Sequence, residues 1–254
     1  MRNKIIAGNW KMNLSMEEGE QLVRNFMEGY SGQKVECSVI FAPPFTHISN
    51  IAKLVAAKKG VFVAAQNLHE AASGAFTGEI SGEILRSAGC SHVIIGHSER
   101  RQYFGETNEL LRKKIAAAIR SGLTPIFCTG ETLSERETNQ TETVIRKQIT
   151  EGLQGFREEE LQNLIIAYEP VWAIGTGKNA SPEMAQSAHS FVRLVLSELY
   201  NSSFADAIPV LYGGSVNAAN ASMLFAQPDI DGGLVGGASL KAGEFFAIAG
   251  SFPA

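Results

Sequence analysis

Eight short apolar runs rich in β-branched residues recur along the chain with helix-period stretches between them. This alternation restricts the fold more than any other feature of the sequence. The runs are Lys4–Gly8, Ser38–Ala42, Val61–Ala65, His92–Gly96, Thr124–Cys128, Leu164–Ala167, Pro209–Tyr212 and Gly232–Val235. The clearest helical stretches are Met16–Gly29, His47–Lys58, Asn108–Ser121, Glu142–Leu153 and Pro182–Tyr200, the last with Ser181 as its cap and Pro182 in its first turn. Eight strand–helix units in 254 residues come to about 32 residues each, the size of a βαβ repeat. Strands separated by helices pair in parallel, so the sheet either closes into a barrel or stays open and doubly wound. Even spacing, and the lack of Gly-x-Gly-x-x-Gly after the first run, favour the barrel. The expectation is an α/β fold, a closed (β/α)8 barrel of eight parallel strands with outer helices, forming a single domain over residues 1–254. No Pro/Gly/Ser-rich linker divides it, and Gly29–Gln33 and Asp206–Pro209 read as surface connections.

Composition narrows the function classes. The net charge is -4 and no Lys/Arg stripe stands out, which argues against nucleic acid as a partner but leaves room for a small anion held by local donors. Three cysteines, Cys37, Cys90 and Cys128, lie in or beside apolar runs; an odd number without paired spacing points to buried free thiols and a reducing, cytoplasmic setting. The apolar run Ile5–Ala7 is too short for a signal-peptide core, and no stretch approaches a membrane span. No His/Cys/carboxylate cluster has metal-ligand spacing, so no metal is expected.

In a parallel barrel, function gathers at the C-terminal ends of the strands. Asn9 and Lys11 follow the first run, His97 the fourth and Glu169 the sixth; Gly213-Gly214-Ser215 follows the seventh and Gly236-Gly237 the eighth. Taken singly, Lys11 reads as a surface lysine, His97 as a structural histidine and the glycine pairs as plain turns. Their shared rim supports the functional reading. Pro170 restrains Glu169 at its strand tip, and Val171, Trp172 and Ile174 alternate with Gly175 and Gly177 as in a lid with a stiff apolar body. The glycine turns let backbone N–H groups approach an anion, aided by a short helix starting near Ala238-Ser239-Leu240. His47, His69, His92 and His189 have no comparable placement. Gly175-Thr176-Gly177-Lys178 is a poor phosphate loop, because Asn179 fails its last position.

Six segments resemble the triosephosphate isomerase family in order and position: Asn9–Asn13, Gly74–Ser81, Gly96–Arg101, Tyr168–Lys178, Tyr212–Ser215 and Leu234–Leu240. The resemblance covers nearly the whole chain and implies a TIM barrel that interconverts dihydroxyacetone phosphate and glyceraldehyde 3-phosphate without cofactor or metal. It implies Glu169 as general base, His97 as neutral electrophile, Lys11 as the charge opposing the developing oxyanion and Asn9 as an orienting group. The helix start at Ser98-Glu99 would keep the His97 ring neutral. Phosphate would be gripped by N–H groups of Gly175, Ser215, Gly236 and Gly237, with Glu99 as a partner of Lys11 and Ser98 as a partner of Glu169. It also implies a homodimer, in which the Gln66–Ser81 loop inserts into the partner with Thr77 near the partner's active site; a loop of that length is unexpected in a compact domain unless it binds something. Two positions depart from the family pattern: Thr129 replaces an aliphatic residue and Gly233 replaces Ala or a larger one, a change expected to loosen the last strand. A late-strand Schiff-base lysine, which would favour a different sugar-phosphate barrel enzyme such as an aldolase or another isomerase, is not found. Loss of Lys11, His97 or Glu169 would point to a non-catalytic scaffold, but all three are present.

Overall fold

The computed structural model describes residues 2–32, 36–173 and 180–253. Eight parallel strands close into a barrel in sequence order: β1 (Ile5–Asn9), β2 (Ser38–Ala42), β3 (Val61–Ala65), β4 (His92–Ile95), β5 (Thr124–Thr129), β6 (Ile165–Tyr168), β7 (Val210–Tyr212) and β8 (Gly232–Val235). Eleven α-helices occur among the described residues: α1 (Met16–Gly32), α2 (Ile48–Val55), α3 (Gly82–Ser87), α4 (Ser98–Phe104), α5 (Asn108–Arg120), α6 (Leu133–Glu137), α7 (Thr141–Leu153), α8 (Pro182–Leu199), α9 (Ser202–Ala207), α10 (Ala221–Phe225) and α11 (Ala242–Ala249). The barrel closes as expected, and each strand lies within one residue of its run at either end. Gly29–Gln33 is not a simple connection, because α1 continues through it to Gly32, and Asp206 and Ala207 finish α9. Helices α3, α6, α9 and α10 have five or six residues, too few turns for a 3.6-residue period to show. Their stop and start signals are local: Ser81 accepts the Ile84 N–H at 3.3 Å and Asn201 the Phe204 N–H at 2.8 Å.

Period-two alternation sorts each strand between two cores. Twelve side chains fill the barrel itself, among them Ile5, Ala7, Ile40, Ile94, Cys128 and Leu211, as three layers of four would require. The opposite faces, with Ile6, Phe41, Val63, Phe127 and Val210, pack under the helices. Because the interior is solid, a ligand site has to lie above it, at the strand ends. Buried ion pairs tie the layers at that end: Glu106 accepts from Arg100 Nε at 2.7 Å and Lys114 Nζ at 2.6 Å, and Lys114 also reaches Asn67 at 2.7 Å. The loops after β3 and β4 are thereby joined.

Closure of β8 on β1 depends on one glycine. Gly232 pairs with Ile5 at φ +141°, and a Cβ there would lie 1.8 Å from the Ile5 carbonyl oxygen. Its neighbour Gly233 is different: a Cβ would sit 3.4 Å from Val235 and 3.5 Å from Phe225, in ordinary contact. Gly232→Ala is therefore expected to destabilise the fold by about 3 kcal/mol or more, from strain and overpacking together. Gly233→Ala should be neutral or stabilising by about 0.5 kcal/mol. Denaturant unfolding of the two variants checks this, and equal effects would refute it.

Candidate active site

Glu169 stands one residue past β6, held by pairing that runs on beyond the strand. Its N–H donates to the Thr129 carbonyl at 2.7 Å, and the Gly213 N–H donates to the Tyr168 carbonyl at 2.7 Å. Its seat is cut by glycines on both neighbouring strands. A Cβ on Gly130 would fall 1.7 Å from the Glu169 carbonyl oxygen, and one on Gly213 would fall 2.8 Å from Glu169 Cγ. The side chain is 2% exposed. Oε2 accepts the Ser98 N–H at 2.9 Å; Oε1 lies 3.0 Å from His97 Nε2, off the line of a hydrogen bond.

His97 caps α4. Its Nδ1 accepts the Glu99 N–H at 3.3 Å, which leaves the ring proton on Nε2, facing Glu169. Burial alone would lower its pKa, but the Glu169 carboxylate beside it outweighs burial and carries the pKa above its ordinary 6.5. The helix start is present as expected, yet the neighbouring carboxylate decides the direction. Glu169→Gln removes that charge while keeping the shape, so the His97 pKa should fall below 6.5 as burial takes over. An imidazole titration by NMR reads this directly; a pKa still above 6.5 would show that the carboxylate is not the cause.

Lys11 lies just past β1 in the left-handed region at φ 53°. Its N–H donates to Asn9 Oδ1 at 3.1 Å and its carbonyl accepts from Gln66 Nε2 at 2.9 Å, which hold a conformation that a non-glycine residue rarely adopts. Nζ then meets Glu99 Oε1 at 2.6 Å. Asn9, Lys11, His97 and Glu169 line one cavity of about 460 Å³, together with Gly213–Ser215, Gly236 and Gly237. Among the described residues, the N–H groups of Ser215, Gly236 and Gly237 donate to no acceptor, so they form a cradle able to take an anion. The short helix expected near Ala238 is a single turn over Gly237–Leu240. Gly175 lies outside the described residues.

Two groups escaped the sequence reading. Lys241 borders the cavity from the far side. Glu131, fully buried, accepts from Trp172 Nε1 at 2.9 Å, from the Tyr168 hydroxyl at 3.1 Å and from Arg136 Nη1 at 3.0 Å. It anchors the one-turn helix Val171–Ala173 that follows Glu169. The strand-end rule that selected Glu169 applies equally to Glu131, two residues past β5. Of the remaining expectations, Cys37, Cys90 and Cys128 are free and buried. Burial pushes the Cys37 and Cys90 thiols up to about 12. Among the described residues there is no cluster of three or more metal-ligating side chains, and no helix is long and apolar enough to cross a membrane.

The family model for triosephosphate isomerase matches residues 4–252. The chain is 47% identical to the triosephosphate isomerase of Bacteroides fragilis over 252 residues, 99% of this chain and 100% of that protein. It is 50% identical to that of Magnetococcus marinus over 250 residues and 52% identical to that of Geotalea uraniireducens over 253, with 98% of each chain covered in both cases.

Proposed function

The chain belongs to the triosephosphate isomerase family, and from that membership and the cavity geometry we infer what each rim residue does. The enzyme interconverts dihydroxyacetone phosphate and D-glyceraldehyde 3-phosphate, a step of glycolysis and gluconeogenesis. Glu169 removes a proton from the carbon beside the substrate carbonyl and returns it to the neighbouring carbon. The enediolate formed between these transfers is stabilised by His97, which donates from Nε2 and moves a proton between the two oxygens, and by the Lys11 ammonium. Asn9 orients the oxygens. The phosphate rests on N–H groups of Ser215, Gly236 and Gly237, with Gly175 added from outside the described residues. Ser98 and Glu99 act through their neighbours: the Ser98 N–H holds the carboxylate of Glu169, and Glu99 holds the ammonium of Lys11.

The observation that carries this reading is the convergence of a buried carboxylate, an Nε2-protonated imidazole and an ammonium on one cavity with a free N–H cradle. A general base supplies roughly 10²–10⁴-fold, so fixed positive charge at the developing oxyanion has to contribute much of the rest. Lys11→Met keeps the length and removes the charge. Turnover of glyceraldehyde 3-phosphate by the purified enzyme, without added metal or cofactor, is expected to drop by about 10²-fold or more in this variant. Near-normal turnover by folded Lys11→Met would remove Lys11 from the chemistry.

The whole chain acts as one domain and works as a homodimer in the cytoplasm, the compartment that suits three reduced thiols. A second cavity of about 470 Å³ supports the dimer. It shares Asn9, Lys11 and His97 with the substrate cavity, adds Glu99, and opens between exposed Met12, Phe45 and Phe104. The Gln66–Ser81 loop of a second copy fits such a cleft. Its base is closed by the His69–Ser81 bridge, and the Phe76 ring packs tilted against His69 with centroids 4.2 Å apart, leaving Thr77 exposed at the tip.

A further inference from the structure

Glu169 borders two cavities. One is the substrate cavity; the other, of about 500 Å³, lies on the side of β5 and α4 and is walled by Ser98, Thr129, Leu133, Val171 and Trp172 with Glu169 itself. Its volume suits a small organic molecule. Its walls are chemically unfinished. The Thr129 hydroxyl is buried, with the residue 1% exposed, and has no hydrogen-bond partner. A buried hydroxyl without a partner is costly, and a ligand group in the cavity would relieve that cost. The Ser98 hydroxyl forms no hydrogen bond either, while Trp172, Leu133 and Val171 supply an aromatic and aliphatic wall.

Charge selects the occupant. Arg101 borders the cavity, but its guanidinium is already engaged by the Gly96 carbonyl, Asn108 and the Cys128 carbonyl at 2.9, 2.7 and 2.9 Å. Those partners are neutral, so Arg101 stays charged, but its donors are occupied and the carboxylates of Glu169 and Glu135 outnumber it, which disfavours a doubly charged phosphate ester such as the substrate. We propose that this cavity is a regulatory small-molecule site for an uncharged aromatic amide or alcohol, whose binding holds Glu169 on the Ser98 N–H and slows turnover without entering the substrate cavity. The ligand binds the arrangement whose walls are Glu169 and Trp172 as they stand here. It shifts the enzyme toward that arrangement by its difference in affinity between states.

The inference rests on Glu169 being the base, and the test separates the two. Leu133 lies at the cavity mouth, 42% exposed, and the three native thiols are buried. Leu133→Cys treated with benzyl methanethiosulfonate fills the cavity covalently. The expected result is a kcat lowered about tenfold or more, a KM within about twofold of the unlabelled variant, and recovery when reductant removes the label. Complete labelling with unchanged kcat overturns the proposal, and a rise in KM alone shows that the group reaches the substrate cavity, which overturns it too. In the second arm, benzamide is expected to slow labelling of Leu133→Cys, less so when Thr129→Val is added; no protection overturns the ligand class. Both arms stand apart from Glu169→Gln, which tests the base without reference to this cavity.

Discussion

Glu169→Gln is expected to fold normally and to lose roughly 10²–10⁴ of kcat, the range a positioned general base supplies. The amide keeps the size and can still accept the Ser98 N–H, so the seat formed by Gly130 and Gly213 is undisturbed. What it cannot do is take a proton. KM should stay within a few-fold, because the phosphate cradle of Ser215, Gly236 and Gly237 lies on other strands and does not use the carboxylate. Glu169→Asp makes the contrast sharper, since it retains basicity but withdraws it by one methylene from the reacting carbon, and its loss should be smaller but real. Steady-state kinetics with thermal unfolding of each variant decide the matter. A well-folded Gln variant with kcat within tenfold of the parent would falsify the assignment of the base.

The second large effect concerns assembly. Removing the loop tip around Gly74–Thr77 is expected to yield a monomer with kcat lowered by about 10²-fold, the scale of loss from a misplacement of about 1 Å. The reason lies at the wall shared by two cavities. Asn9, Lys11 and His97 border both the substrate cavity and the cleft beside Met12, Phe45 and Phe104. Met12 is 95% exposed and Phe104 66% in the single chain. Apolar surface gathered around a cleft in this way supports the proposed association of two copies. Lys11 sits on that wall in a strained left-handed conformation, so in the proposed dimer a second copy would bear directly on where its ammonium points. Sedimentation and turnover measured together test this. A fully active monomer would show that one subunit holds its own site, and an inactive dimer would move the loop's role from assembly to the site itself.

Much of the barrel can be read from local patterns, because a strand of five residues and a helix of thirteen each carry their own period. Where the element is short the pattern fails: α3, α6, α9 and α10 have no period to show. The rim follows from strand ends, so Asn9, Lys11, His97, Glu169, Ser215, Gly236 and Gly237 can all be singled out from the chain. Ser98 and Glu99 came from the family resemblance, and no spacing points to their contacts. Glu99 meets Lys11 across 88 residues of sequence, and Ser98 meets Glu169 across 71. Glu131 obeys the strand-end rule, but its role depends on a tryptophan 41 residues away, which no local pattern reveals.

Gly233 shows a departure whose meaning changes with the neighbours. Read alone, it suggested a loose last strand. In the barrel it has room for a methyl group, and Gly232 is the residue that cannot change. Thr129 changes in the same way: a polar residue in an apolar run becomes a buried hydroxyl without a partner, in the same cavity wall as the Glu169 carboxylate.

The sequence by itself determined the alternation, hence the parallel barrel, and the residues its strand tips present, since periodicity and chain order are local properties. Tertiary structure alone decided the state of those residues. The direction of the His97 pKa, the strained pose of Lys11, the glycine seat of Glu169 and the cavity behind it all arise from atoms brought within about 3 Å by strand register. Electrostatic and steric effects at that range depend on neighbours in space rather than along the chain.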